Sequence, residues 1–132
     1  MTKQEQIVRY ILEMWTKGED ETIRAWREHC LEDFIWWNSG RGAIEGLDAC
    51  IKKIEGMHGS LQYAYLRVPV KNLLASGNIV MCERVDELYY ADGSLFKAIP
   101  VTGVIEFAGD KIKEWRDYCD DWVLKMTLQN ES

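Results

Sequence analysis

An arginine stands two residues before an aspartate in Cys82-Glu83-Arg84-Val85-Asp86, and later in the chain a second aspartate follows a tryptophan in Trp115-Arg116-Asp117-Tyr118. Two carboxylates at close range cannot both ionise cheaply, so at neutral pH such a pair shares a proton. One is then an acid and the other a base. An arginine between them orients both through planar, bidentate hydrogen bonds that lysine cannot copy. Such a set can take a proton from water on one side of a substrate while giving one to a leaving oxygen on the other. That is hydrolysis without a metal and without a covalent intermediate.

The three side chains must first reach one face of a sheet. Strand residues alternate, so Arg84 and Asp86 share a face with Val80, Cys82 and Leu88, an otherwise apolar row on which unpaired charge is costly. Asp92-Gly93 reads as a two-residue hairpin turn, which sets Arg84 opposite Val101 and Asp86 opposite Ile99. Ala108-Gly109-Asp110 marks the next turn. A three-residue loop there sets Val101 opposite Asp117, making a rung of Arg84, Val101 and Asp117 with Trp115 and Cys119 beside it. A two-residue loop sends Asp117 to the other face. The three-residue loop is the reading adopted, because the shared face then carries Ile99 and Val101 rather than Ala98, Pro100 and Thr102. The competing arrangement makes Arg84 and Asp86 an outer-face ion pair and turns Ile79, Met81 and Val85 inward.

A chain of 132 residues forms one domain, 1–132, able to bury a core of its own. Its net charge of −6 argues against a nucleic-acid partner, which requires a basic face. Lys52-Lys53 is the one basic pair and reads as a solvated helix face; Gly40-Arg41-Gly42 reads as a surface turn. No apolar run approaches the roughly 20 residues that a membrane-spanning helix needs, and the polar start Met1-Thr2-Lys3-Gln4-Glu5 does not resemble a signal peptide. A cytoplasmic protein with no membrane partner is expected. Cys30, Cys50, Cys82 and Cys119 follow no metal-binding spacing and read as free packing thiols, and His29 and His58 form no cluster. Neither metal nor cofactor is expected.

Thr2 and Glu5 form a capping box ahead of a helix whose apolar positions are Ile7, Val8, Ile11, Leu12 and Trp15, ending at Gly18. Asp20 is expected to cap a second helix with Ile23, Trp26 and Cys30 inward. Phe34-Ile35-Trp36-Trp37-Asn38 reads as a short strand. A third helix turns Leu47, Cys50, Ile51, Ile54 and Met57 to one side. Residues 61–74 then alternate as a strand with Pro69 at an edge or bulge, and three more strands are parted by Ser76-Gly77-Asn78, Asp92-Gly93 and Gly109-Asp110. The tryptophans, Trp122 included, are core candidates, while Asp117 near Asp120 and Asp121 is also open to reading as an acidic surface cluster. Helices first and an antiparallel sheet afterwards is an α+β order, with the helices on one side of a curved sheet.

These residues resemble the limonene-1,2-epoxide hydrolases, within the nuclear-transport-factor-2-like superfamily that also holds ketosteroid isomerases and SnoaL-like polyketide cyclases. The likeness runs through residues 78–122, in ERVDELYYADG, Gly103-Val104 and GDKIKEWRDYCD, and more weakly through residues 32–38 and 40–46. It implies a cone-shaped, cystatin-like α+β fold with a mixed or antiparallel sheet, a pocket closed by sheet and helices, and a homodimer. It also implies that Asp117 activates water, that Asp86 protonates the epoxide oxygen, that Arg84 bridges them and that Asn38 helps hold the water. At Trp36 the family pattern has a tyrosine whose hydroxyl also grips that water; indole donates one hydrogen bond and accepts none. Cys119 is smaller than the aromatic residue usual at its position.

The expectation is therefore a cofactor-independent hydrolase converting a hydrophobic epoxide to a vicinal diol. Arg84, Asp86, Asp117 and Asn38 form its centre, and Trp36, Leu88, Ile99, Val101, Trp115 and Cys119 contact the substrate. Two alternatives stay open: an acid-base lyase, isomerase or cyclase acting on an aromatic or polyketide-like molecule, and a non-catalytic ligand-binding module.

Overall fold

The capping box forms as expected. In the computed structural model, which describes residues 1–60 and 63–120 but not the side chains of 57–60, the Thr2 hydroxyl accepts from the Glu5 N–H at 3.0 Å. The Glu5 carboxylate accepts from the Thr2 N–H at 2.6 Å. Helix α1, Lys3–Trp15, thereby starts with two of its orphan donors satisfied and buries Ile7, Val8, Ile11 and Leu12. Helix α2, Glu19–His29, corrects the expected cap: the N-cap is Gly18 at φ +104°, with no side-chain hydrogen bond. Asp20 lies inside the first turn with Glu19 and Glu21, where carboxylates still favour the helix dipole. The expectations for Met57, residues 61–62, Asp121 and Trp122 fall outside the described residues.

Strand β1 is Cys30–Asn38, so Cys30 opens the strand instead of closing the helix face, and the strand starts well before Phe34. A short strand not expected from sequence, β2 at Gly42–Glu45, folds back on β1 through a turn with Gly40 and Gly42 at φ +80° and +82°. Helix α3, Leu47–Ser60, follows and buries Leu47, Cys50, Ile51 and Ile54. The strand expected over 61–74 is broken at Pro69 into β3, Tyr65–Arg67, and β4, Val70–Ser76. Both pair antiparallel with β5, Ile79–Tyr89. Strands β6, Leu95–Ala108, and β7, Lys111–Tyr118, complete a sheet of order β2-β1-β7-β6-β5-β3, in which β1 and β7 are parallel.

Both hairpins reach their registers by a route the sequence does not announce. In the first, Tyr90 and Ser94 are hydrogen bonded and Ala91-Asp92-Gly93 forms the loop, one residue longer than expected. Phe96 then goes unpaired between Tyr89↔Leu95 and Leu88↔Lys97, and this bulge restores Arg84 opposite Val101 and Asp86 opposite Ile99. In the second, Ala108 pairs with Lys111 around a loop one residue shorter than expected, and Lys113 is bulged between Ile112 and Glu114. The partner of Asp117 is therefore Gly103, and the expected rung of Arg84, Val101 and Asp117 is corrected by one row. The bulge flips the parity that the short loop alone would impose, so Asp117 faces inward.

The inward row of β5 is Val80, Cys82, Arg84 and Leu88, all buried, while Met81 is 47 % exposed, which excludes the arrangement with Met81 in the core. The three helices cover this face. Val8, Ile11, Trp26, Phe34, Cys50, Ile105, Phe107 and Trp115 belong to one continuous core between helices and sheet. Leu88, Ile99 and Val101 form a smaller cluster with Tyr63, Leu66, Phe96 and Cys119. The result is a curved, cone-like α+β fold. Among the described residues no helix is long and apolar enough to cross a membrane.

Candidate active site

Arg84 reaches Asp117 by crossing a strand. Its row holds Val101 on β6, whereas the adjacent row runs Cys82, Gly103, Asp117, so the guanidinium passes diagonally over the glycine. A Cβ at Gly103 would stand 2.9 Å from Arg84 Nη1, 3.1 Å from Asp117 Oδ1 and 3.3 Å from Ile105 Cδ1. The missing side chain is the passage. Asn38, next to Asp117 in the parallel β1–β7 pairing, approaches from the other side.

The guanidinium uses four of its five N–H groups. Nη1 and Nη2 donate to Asp117 Oδ1 and Oδ2, each at 2.9 Å; Nε donates to Asp86 Oδ1 at 2.8 Å, and Nη2 also to Asp86 Oδ2 at 3.3 Å. The indole N–H of Trp115 donates to Asp117 Oδ1 at 2.8 Å, and the Trp15 ring lies 5.1 Å from the guanidinium carbon. Arg84 is 1 % exposed and Asp117 5 %. Burial works against the charge of Arg84, but Asp117 and Asp86 more than reverse this and hold it above the usual arginine range. Burial also pushes the Asp86 carboxyl above its ordinary value; Arg84 opposes the shift and the nearby Asp117 adds to it. Burial thus biases Asp86 toward its protonated form.

Asp86 and Asp117 open on an apolar cavity of about 420 Å³. Asn38, Trp36, Leu88, Ile99, Val101, Cys119, Asp86 and Asp117 all line it. Trp115, expected to touch substrate, is fully buried behind the wall, where its N–H holds Asp117. Trp36 stands edge-on to Trp26, with ring centres 5.1 Å apart, and its Nε1 is buried without an acceptor among the described residues. Ser39 fixes the strand end at the wall, accepting from the Cys119 N–H at 2.9 Å and donating to the Cys119 carbonyl at 2.8 Å.

Sequence reasoning did not place Trp15, Trp26, Tyr63, Arg41 or Lys53 in this wall, although all five line the cavity. Burial, with the charge of Asp86, pushes the Tyr63 phenol up to about 12, so it stays neutral. No local pattern marks it, because Tyr63 precedes β3 and reaches the wall through the Ala64 N–H bond to the Tyr89 carbonyl. Among the described residues no group of three or more His, Cys, Asp or Glu side chains is placed to hold a metal ion.

The cone of helices on a curved sheet is the fold of the NTF2-like proteins among solved structures. The sequence profile of the limonene-1,2-epoxide hydrolase catalytic domain matches residues 3–129, and the chain belongs to that family. No curated protein matches the sequence. Among solved structures, the chain is similar to an LEH-like epoxide hydrolase from M. tuberculosis at 23 % identity, TM-score 0.75, covering 98 % of this chain and 91 % of that one. It is similar to a putative SnoaL-like polyketide cyclase from Jannaschia sp. CCS1 at 18 % identity, TM-score 0.76, covering 96 % and 91 %. An NTF2-like protein of unknown function from Burkholderia pseudomallei K96243 shares the fold at TM-score 0.80 and 16 % identity, covering 97 % and 98 %.

Two outcomes follow from the geometry. Gly103→Ala forces Arg84 and Asp117 apart and is expected to lower stability in urea denaturation by about 1–3 kcal/mol, the range for overpacking a tight interior. An unchanged midpoint would mean that the passage over Gly103 is not tight. The second concerns pH. The fold binds the Asp86 proton more tightly than the unfolded chain does, so wild type is at its best against Asp86→Asn below the ordinary value of 3.8. It loses ground as pH rises through the raised value. Urea midpoints of both proteins between about pH 3 and 8 are expected to diverge in favour of Asp86→Asn as pH rises; parallel curves would refute the shift.

Proposed function

We propose that the chain is a cofactor-independent hydrolase that opens a hydrophobic epoxide to a vicinal diol. The observation that supports this best is one guanidinium gripping two carboxylates that both line an apolar cavity, with burial raising Asp86 above its ordinary value. Asp117 Oδ2 accepts one bond from Arg84 and keeps a lone pair for water. In the proposed step Asp117 takes a proton from that water as its oxygen bonds to one epoxide carbon. The C–O bond at that carbon breaks, and the released oxygen takes the proton of Asp86. Asp117 is left protonated and Asp86 ionised, and one proton transfer between them restores the start. Asn38, beside Asp117, is the proposed second hold on the water.

Incubating the pure protein with cyclic and aryl epoxides in heavy-oxygen water should yield diol carrying one labelled oxygen. Asp117→Asn should cut kcat/KM by about 10²–10⁴, the usual contribution of a positioned base. Failure to turn over any epoxide, or a variant as fast as the parent, would remove this reading.

Trp36 favours a second reading, an acid-base isomerase, lyase or cyclase that uses the same pair on a flat molecule. Its indole can accept nothing from a water, while Trp15, Trp26 and Trp36 give the cavity a stacking wall. Trp36→Tyr decides between the two: epoxide hydrolysis gained only in the variant supports the second, and a parent that already hydrolyses epoxides efficiently supports the first.

A further inference from the structure

The cavity lining includes two exposed cations that the Arg84 cluster does not account for. Of the charged side chains lining the cavity, Asp86 and Asp117 are bound to Arg84, and the remaining two, Arg41 and Lys53, are both cationic and exposed. No further acidic side chain lines the cavity among the described residues, and neither cation forms an ion pair among them.

Their placement comes from two separate elements. Arg41 lies in the β1–β2 turn between Gly40 and Gly42, both at positive φ, and its N–H donates to the Asn38 carbonyl at 3.0 Å. The turn is thereby tied to the residue beside Asp117. Lys53 comes from α3, next to Ile54, which also lines the cavity. Arg84 already engages both carboxylates, so Arg41 and Lys53 are the charged side chains left over in the lining among the described residues, two cations in a protein of net charge −6. Two exposed cations of a mostly acidic protein thus line one apolar cavity.

We infer that the natural substrate is an amphipathic anion: an apolar body that fills the cavity, with a carboxylate or comparable acidic group at its outer end held by Arg41 and Lys53. This rests on the cavity being the substrate site of the proposed reaction, and it specifies the end of the molecule that does not react. The apolar body supplies affinity, while the two cations set orientation and keep the reactive end toward Asp117.

The test uses probes without an epoxide, so its result does not depend on hydrolysis. Binding of 4-phenylbutyrate and of its neutral amide, 4-phenylbutyramide, is measured by calorimetry at low salt. The carboxylate is expected to bind about tenfold more tightly than the amide, two exposed ion pairs each giving about threefold. Arg41→Gln and Lys53→Gln should each remove about threefold of that preference, the double variant should abolish it, and about 0.5 M salt should shrink it in wild type. Amide affinity should stay constant throughout. Equal binding of the two probes, a preference that survives the double variant, or no binding of either probe at millimolar concentration would each overturn the inference.

Discussion

A guanidinium almost without solvent contact, forked between two carboxylates, is the constraint around which this molecule is arranged. Removing one member of a buried pair typically costs about 3–5 kcal/mol, because the other charge is left uncompensated, whereas replacing the whole set by apolar side chains is often neutral or stabilising. Stability alone therefore gives no reason to keep Arg84, Asp86 and Asp117 in a row otherwise made of Val80, Cys82 and Leu88. Buried, paired ionisable groups that open on a cavity are better accounted for by what they do to a molecule in that cavity. The neighbours act to the same end: Trp115 spends its only donor on Asp117, and Trp15 lays its ring against the guanidinium.

The fold supplies this cluster through backbone details smaller than a secondary-structure element. Alternation along β5 was legible because a period of two survives whatever the turns do, so Arg84 and Asp86 were assigned to the same face as Val80 and Leu88. The register of Arg84 on Val101 was also legible, but only because two departures cancel, a longer loop at Ala91-Asp92-Gly93 and the bulge at Phe96. At the next hairpin a shorter loop and the bulge at Lys113 leave Asp117 on the inner face, yet they move its partner from Val101 to Gly103. Phe96 and Lys113 look like ordinary strand residues, and nothing local marks them as bulged. The role of Gly103 was illegible for the same reason: it matters only once its neighbours are known.

What lay furthest from the sequence was the rest of the cavity wall. Arg41 reads as part of a turn and Lys53 as half of a solvated basic pair, and each description is correct in its own segment. That both line one cavity depends on β2 folding back on β1 and on α3 packing over the sheet, contacts remote in sequence. Tyr63 is similar, since its phenol reaches the wall near Asp86 only because β3 pairs with the far end of β5. The motif-bearing strands could be read; the enclosure around them is a property of tertiary packing.

The two carboxylates are chemically identical and are made different by position. Asp117 accepts from both Arg84 Nη atoms and from an indole. Asp86 has one good bond at 2.8 Å and one long bond at 3.3 Å, and burial raises it. Burial thus biases Asp86 toward its protonated form. At physiological salt, screening confines exposed charges to about 8 Å, so Arg41 and Lys53 act on a ligand locally and the acidic remainder of the surface does not cancel them. The carboxylate pair can then be tuned for proton transfer and the two cations for recognition, with little electrostatic cross-talk between them.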